Sequence, residues 1–512
     1  MKLLLLFSTA LCITIDPIVS QPAPQLSWSV IPQEFADNYG SACLDGSPPG
    51  IYSLIQDPTK FIVFLEGGGW SFGLTINATL EDAATRGSQW AGSSKYNSGT
   101  MDVGGLLSTN SSVNPYFYNH SMIFFHYCDG TSFSSNATNP IPVPADIQKR
   151  VSDRAAYELQ HFPDTTLFRT VNTPSQLYFR GRANLLAVFN FLKQNTTMGT
   201  ATDIIISGGS AGGTAALLAL DIITPIFPNS KVMGAPDAGF FLDAYNIAQQ
   251  IMWYRTSFQV ADTGVWNSTG SGSVNQRCLQ AYPNETWKCF LPQYYAAMIQ
   301  TPFIILNSAY DMWQILNDLE LGCVPTTNGQ GVFVYGSCDS AQLEIFQAYR
   351  LAQLQAVAPA LSIPSNGAFI DSCFVHETNV DYCSNQPVPN CIGWNTFNVT
   401  ISNPNGPTMT LNMDQTMVSW YKNTLSNWDT IVEERQKLMD TVIDPAIAAG
   451  NDVNEAVLEH YRNTAGYDLT KNNNIPISRI SGTSVQVVDP VEFPNNPTCP
   501  FPTPTATPAA RY

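Results

Sequence analysis

Charge is what this sequence has least of. Only 12% of its 512 residues are Asp, Glu, Lys or Arg, about half the share usual in a soluble domain. Ser, Thr, Asn and Gln must therefore cover much of the surface. Positive charge is scarcer still: 23 Lys and Arg stand against 40 Asp and Glu, a formal net charge of −17. That balance repels the phosphates of nucleic acid and anionic lipid heads. It also disfavours a strongly anionic polymer as substrate, unless the cleft is locally basic. There are five histidines, His120, His126, His161, His376 and His460, so a search for a catalytic base is short. No Cys-x-x-Cys pair occurs, which speaks against zinc. No Gly-Lys-Ser/Thr occurs, which speaks against a phosphate loop. Beyond the N-terminus no stretch reaches the roughly 18 uninterrupted apolar residues of a membrane span.

Apolar residues are not lacking. At 44%, with 11% aromatic, they support a sizeable core, and the length suits one large domain or two ordinary ones. Lys2 followed by the apolar run Leu3 to Ile15, with small residues near Ser20, reads as a signal peptide over residues 1–20. Removing Cys12 with it leaves ten of the 11 cysteines, an even number suited to disulfides. Asn-x-Ser/Thr sequons stand at Asn77, Asn110, Asn119, Asn136, Asn195, Asn267, Asn284 and Asn398, so N-glycans are expected. These features together predict a secreted glycoprotein. Pro500 to Tyr512 is Pro/Thr-rich and polar, unlike a lipid-anchor signal.

Short apolar runs predict strands buried on both faces: Phe61 to Leu65, Ser121 to Tyr127, Asp203 to Ser207 and Pro302 to Leu306. Helical spacing follows at Gly181 to Leu192, Ala211 to Leu220 and Val418 to Met439. Residues 75–120 are rich in Ser, Asn and Gly and read as surface loop. Strands alternating with helices predict an α/β fold with a mostly parallel sheet covered on both faces. The expected division is a main domain over 21–440 and a C-terminal extension over 441–512, its last 25 residues a loosely held tail.

The densest chemistry is Gly208-Gly-Ser-Ala-Gly212. Gly-x-Ser-x-Gly between a strand and a helix is a nucleophile turn: side chains at the outer glycines would strike neighbouring backbone, and Ser210 meets the helix N-terminus. In such folds the acid and then the histidine follow the serine along the chain. Only His376 and His460 qualify. His460 lies in an ordinary helical pattern, Glu455 to Tyr461, whereas His376 ends a loop-like approach beside Cys373. His376 is the preferred base, and a disulfide at Cys373 would hold its loop. Asp311, just past the strand ending at Leu306, is the preferred acid, Asp237 the runner-up, and Asp371 lies too near His376 in sequence. Ester hydrolysis also needs backbone N–H groups aimed at an oxyanion. Ala211 should give one, and the turn Gly67-Gly-Gly-Trp70 the others.

Seven blocks in order then resemble the pectin acetylesterase/Notum family: Leu65 to Trp70, Tyr127 to Phe133, Tyr178 to Gly181, Ser207 to Gly213, Asp237 to Asp243, Asn307 to Gln314 and Ser372 to His376. The resemblance spans roughly residues 28–430. It implies an α/β-hydrolase fold and ester hydrolysis without metal or cofactor. It places a triad on Ser210, Asp311 and His376, and oxyanion donors on Gly69, Trp70 and Ala211. Plant members remove acetyl groups from pectin, and the animal member removes a fatty acyl group from a secreted protein. This chain departs from the plant pattern at Ser71 and Gly209, where plant members have Cys, and at Glu377-Thr378, where they tend to have Cys-Gln. The expected activity is thus a secreted serine carboxylesterase acting on an acylated substrate, a polysaccharide such as pectin. The alternatives are deacylation of a lipidated protein, or a catalytically silent binding glycoprotein of the same fold.

Overall fold

A computed structural model describes residues 24–163, 168–248, 252–321, 323, 326–327, 333–334, 338–379, 394, 397–401, 408–464, 479–481, 484–490 and 499. The expected signal peptide and the tail from Pro500 lie outside the described residues.

The apolar runs form strands because their side chains leave water on both faces at once. Phe61 to Leu65 are all buried, at about 1.5–3 kcal/mol for each large side chain. The main sheet is built, in chain order, from β1 (Leu26–Val30), β2 (Gly50–Leu54), β3 (Asp57–Leu65), β4 (Thr100–Met101), β5 (His120–Phe125), β6 (Asp203–Gly209), β7 (Lys231–Asp237), β8 (Ile304–Ser308), β9 (Gly367–Asp371), β10 (Arg479–Ser481) and β11 (Ser484–Val488). It is 11-stranded, in the order β10-β11-β9-β8-β7-β6-β3-β5-β2-β1-β4. Every pairing from β5 across to β11 is parallel, and antiparallel strands flank that centre. Two large buried clusters cover its two faces, so it is the doubly covered α/β sheet that the sequence predicts.

Four helices matter below: α1 (Ile76–Gly87), α2 (Ala211–Ile223), α3 (Met312–Asn317) and α4 (Ser340–Ser362). Helix α2 is almost wholly buried, and its Gly and Ala residues let it lie close on β6 and β7. Among the described residues no helix is long and apolar enough to cross a membrane.

Three expectations need correction. Residues 75–120 are not all loop, since α1 starts there under a Thr75 cap whose Oγ1 accepts the N–H of Ala78. Its small apolar stripe, Leu80, Ala83 and Ala84, is what packs. The predicted helix from Val418 to Met439 is two helices, Met413–Ser426 and Trp428–Leu438, parted at Asn427. Nor does the sheet stop near residue 440. Strand β11 pairs in parallel with β9, and Cys499 is bonded to Cys373. The other described disulfides are Cys43–Cys128, Cys278–Cys289 and Cys323–Cys338.

Candidate active site

β6 runs directly into α2, and the turn between them cannot carry side chains. A Cβ on Gly208 would stand 2.3 Å from the carbonyl oxygen of Gly212, and one on Gly212 would stand 2.0 Å from that of Leu65. The compression leaves Ser210 at φ 54°, ψ −123°, a conformation that costs a non-glycine residue about 1–3 kcal/mol. Neighbouring bonds hold it there: Ser210 donates its N–H to Asp237, and its carbonyl accepts the N–H of Thr214.

The hydroxyl meets an imidazole. Nε2 of His376 is 2.8 Å from Ser210 Oγ, and Nδ1 is 2.8 Å from Asp311 Oδ2. Asp311 is fully buried, and the His376 side chain is 10% exposed. The loops after β8 and β9 bring acid and base together because they are laced to each other. Ala309 donates to the Asp371 carbonyl, Met312 to that of Val375, and the Ser308 hydroxyl to that of Cys373. Burial alone would depress the imidazole pKa. The charge of Asp311 and its hydrogen bond, with Glu377 and Asp237 adding to them, lift it to about 9. A chain of this kind can take the proton of a hydroxyl and steady the resulting imidazolium.

The other candidates for base and acid lie elsewhere. His460 sits on the helix Val453–Thr464. Asp237 does not bond the imidazole. Its Oδ2 accepts the N–H groups of Thr378 and Asn379, pinning the chain just beyond His376. Asp371 accepts the N–H of Cys373. Burial raises both acids, Asp237 to about 7 and Asp371 to about 8.

Gly69 and Trp70 line the same cavity as Ser210, and their turn is held by residues that sequence reasoning left unassigned. Arg86, from α1, donates to the Gly68 carbonyl at 2.8 Å and to that of Trp70 at 3.4 Å. The Tyr127 hydroxyl donates to the Gly69 carbonyl at 2.8 Å. In a trans peptide the N–H points opposite to its carbonyl, so the amides of Gly69 and Trp70 face away from these partners. Neither N–H makes a hydrogen bond within the described residues. Ala211 begins α2, where no helical carbonyl serves the N–H. The Trp70 ring is fixed as well: Nε1 donates to Ser132 Oγ, which donates to the Ala211 carbonyl. The signal for Tyr127 and Ser132 was present in the block Tyr127 to Phe133, but their partners come from distant parts of the chain. Nothing local marked Arg86.

Ser210 and His376 open on a cavity of about 800 Å³. Its walls are aromatic, with Trp70, Phe72, Trp90, Tyr254 and Trp313 among them. Trp313 lies beside the imidazole, 6.2 Å between ring centres at 27°. Among the described residues no group of His, Cys, Asp and Glu has the arrangement of a metal site.

Known proteins share this arrangement of chain. Pectin acetylesterase 7 of Arabidopsis thaliana is 30% identical over 347 residues, covering 66% of this chain and 76% of the relative. The palmitoleoyl-protein carboxylesterase NOTUM of Drosophila melanogaster is 27% identical over 294 residues, 55% of this chain and 37% of that protein. A solved structure of the Wnt deacylase Notum from Drosophila superposes with a TM-score of 0.57 at 20% identity, over 79% of this chain and 94% of the other, which establishes the α/β-hydrolase fold. The family model described as pectinacetylesterase matches residues 26–145 and 164–396, and the chain therefore belongs to that family of carboxylesterases.

Proposed function

We propose that the protein is a secreted serine carboxylesterase with Ser210 as nucleophile, His376 as general base and Asp311 as its orienting acid. One observation carries the proposal: a single imidazole stands 2.8 Å from the serine hydroxyl and 2.8 Å from a buried carboxylate, at the wall of a large cavity. His376 Nε2 takes the proton of Ser210 as Oγ attacks the ester carbonyl carbon. The carbonyl oxygen becomes an oxyanion facing the N–H groups of Gly69, Trp70 and Ala211. Collapse breaks the bond to the alcohol, which leaves with the proton from His376. Water, deprotonated by the same imidazole, attacks the acyl-serine, releases the acid and restores the hydroxyl.

The substrate we favour is an acetyl ester on a cell-wall polysaccharide such as pectin, the polymer named in the plant relatives, in its methyl-esterified rather than its free-carboxylate form. A second reading, a longer acyl chain on a protein, draws on the cavity, which exceeds what an acetyl group fills. Extracellular location is supported by the described disulfides and by the sequon asparagines, which are partly exposed at Asn136 and Asn398 and exposed at the rest.

The test is hydrolysis of acetyl and octanoyl nitrophenyl esters and acetate release from acetylated polysaccharides, with Ser210→Ala beside the native protein. The variant should lose at least about 10⁴-fold in kcat. A fluorophosphonate should label Ser210 of the native protein. Absence of that adduct would favour a silent binding protein of the same fold.

A further inference from the structure

The expectation that an acidic chain disfavours an anionic substrate carried one exception, a locally basic cleft. The cleft is not basic. Arg86 is the only Lys or Arg among the described residues lining the cavity, and it is committed: its Nε binds Asp82 at 2.8 Å and its amino groups serve the Gly68 and Trp70 carbonyls. His126 is likewise held by Glu66, at 2.7 Å. His376 is held by Asp311.

Two further carboxyl groups line the same cavity without such partners. Neither oxygen of Asp318 has a hydrogen bond, and the residue is 1% exposed. Burial, with Asp243 and Glu320 adding to it, drives its pKa well above the usual range. Glu377 follows the base in sequence, at φ 57°. Its Oε1 occupies the space beside the nucleophile that a Cβ on Gly209 or Gly67 would need, 2.7 and 2.9 Å from such atoms. Burial raises its carboxyl above the usual range, the charge of His376 lowers it, and Asp311 and Glu66 add to the rise. The departures Gly209 and Glu377 thus face each other, a bare backbone opposite a carboxylate that fills the gap. A polyuronate bears its carboxylate on the same ring as the ester. Brought to Ser210, it would meet Glu377 and no uncommitted cation, in a partly desolvated site where like charges repel strongly.

We propose that this cavity admits acyl acceptors that are uncharged or cationic around the ester, and that Glu377 is the specificity residue that turns away a carboxylate. The inference deepens the esterase reading and rests on Ser210 as nucleophile.

Three aryl acetates test it on the full-length protein: phenyl acetate, 3-carboxyphenyl acetate and 3-(trimethylammonio)phenyl acetate, each rate divided by its alkaline hydrolysis rate. All give the same acetyl-enzyme, so kcat/KM differs only through the acceptor. The anionic ester should fall at least about tenfold below the neutral one, about 1.4 kcal/mol, with the cationic ester equal to it or faster. In Glu377→Gln the anionic-to-neutral ratio should rise towards one, whatever the variant's overall rate. An anionic ester as fast as the neutral one overturns the proposal, and a ratio unmoved in Glu377→Gln removes Glu377 from it. Acetylated polygalacturonate should likewise release acetate faster with its carboxylates methyl-esterified than free. Hydrolysis of all three acetates surviving in Ser210→Ala would instead overturn the underlying esterase assignment.

Discussion

Asp311 binds His376 with one carboxylate oxygen and caps a helix with the other. Oδ2 lies 2.8 Å from the imidazole Nδ1, and Oδ1 accepts the N–H of Gln314 at 2.9 Å at the start of α3. The two roles separate on substitution. Asn is as good a cap as Asp, so Asp311→Asn should keep its melting temperature while losing about 10⁴-fold in kcat, because the imidazole tautomer is no longer held. Asp311→Ala should lose the activity and about 1 kcal/mol of stability as well. Steady-state kinetics beside thermal melts would read both, and Asp311→Asn with near-native kcat would refute the assignment.

The charge on Asp311 also sets a pH dependence. The base works only when neutral, and with its pKa near 9 kcat/KM should climb as pH rises from 6.5 towards 9. In Asp311→Asn the climb should move to lower pH.

Stability should run the other way. Asp237 and Asp371, raised by burial to about 7 and about 8, hold protons in the folded state that the unfolded chain releases near 4. His376 holds its proton up to about 9 against 6.5 unfolded. Its contribution is complete below pH 6.5 and lost as pH rises through 9. His120, depressed to about 4 chiefly by burial, has the opposite sign, but its effect is finished by pH 6.5. The melting temperature should therefore fall between pH 6.5 and 9. A flat or rising profile there would count against the protonation of Asp237 and Asp371.

Arg86 and Tyr127 touch no reacting atom, and both hold the turn that offers Gly69 and Trp70. Arg86→Lys replaces a fork spanning two carbonyls with a single point donor. It should lower kcat by about 10–100-fold with a smaller change in KM. Tyr127→Phe should do the same and also cost about 1–3 kcal/mol, because the N–H of Ser132 loses its buried acceptor. Equal losses from kcat and from binding of an unreactive substrate analogue would point to a collapsed pocket instead.

The Cys373–Cys499 bond closes a loop of 126 residues and holds the stretch leading to His376. Cys373→Ser and Cys499→Ser should each cost about 5 kcal/mol on the chain-entropy account, together with most of the activity. Loss of Cys278–Cys289, which does not hold the stretch leading to His376, should lower stability while kcat is kept.

How much of this was legible follows from range. The turn at Ser210 could be read because strand, glycines and helix are contiguous. His376 could be read because only two histidines follow the serine. The helix Ile76–Gly87 was missed because its buried stripe is mostly small residues, Thr79, Ala83, Ala84 and Gly87 beside Leu80. Strand β11 was missed because Gln486 breaks the apolar run Ser484–Val488. That Gln is buried only because the carbonyls of Leu361 and Asn366 accept its amide. Arg86, Tyr127 and Asp237 have assignable roles only once segments distant in the chain are adjacent, as the lock from Asp237 to Thr378 and Asn379 illustrates.

The place of β11 has a bearing on biosynthesis. A ribosome delivers β9 and the histidine loop more than a hundred residues before the strand that pairs beside them. Until that late segment emerges, one edge of the parallel sheet stands bare, and the cysteine preceding His376 has no mate. Polypeptides terminated ahead of residue 484 would thus carry every element of the reaction centre and yet present an adhesive strand edge. Cellular quality control would meet them as aggregation-prone chains rather than as weakened enzymes.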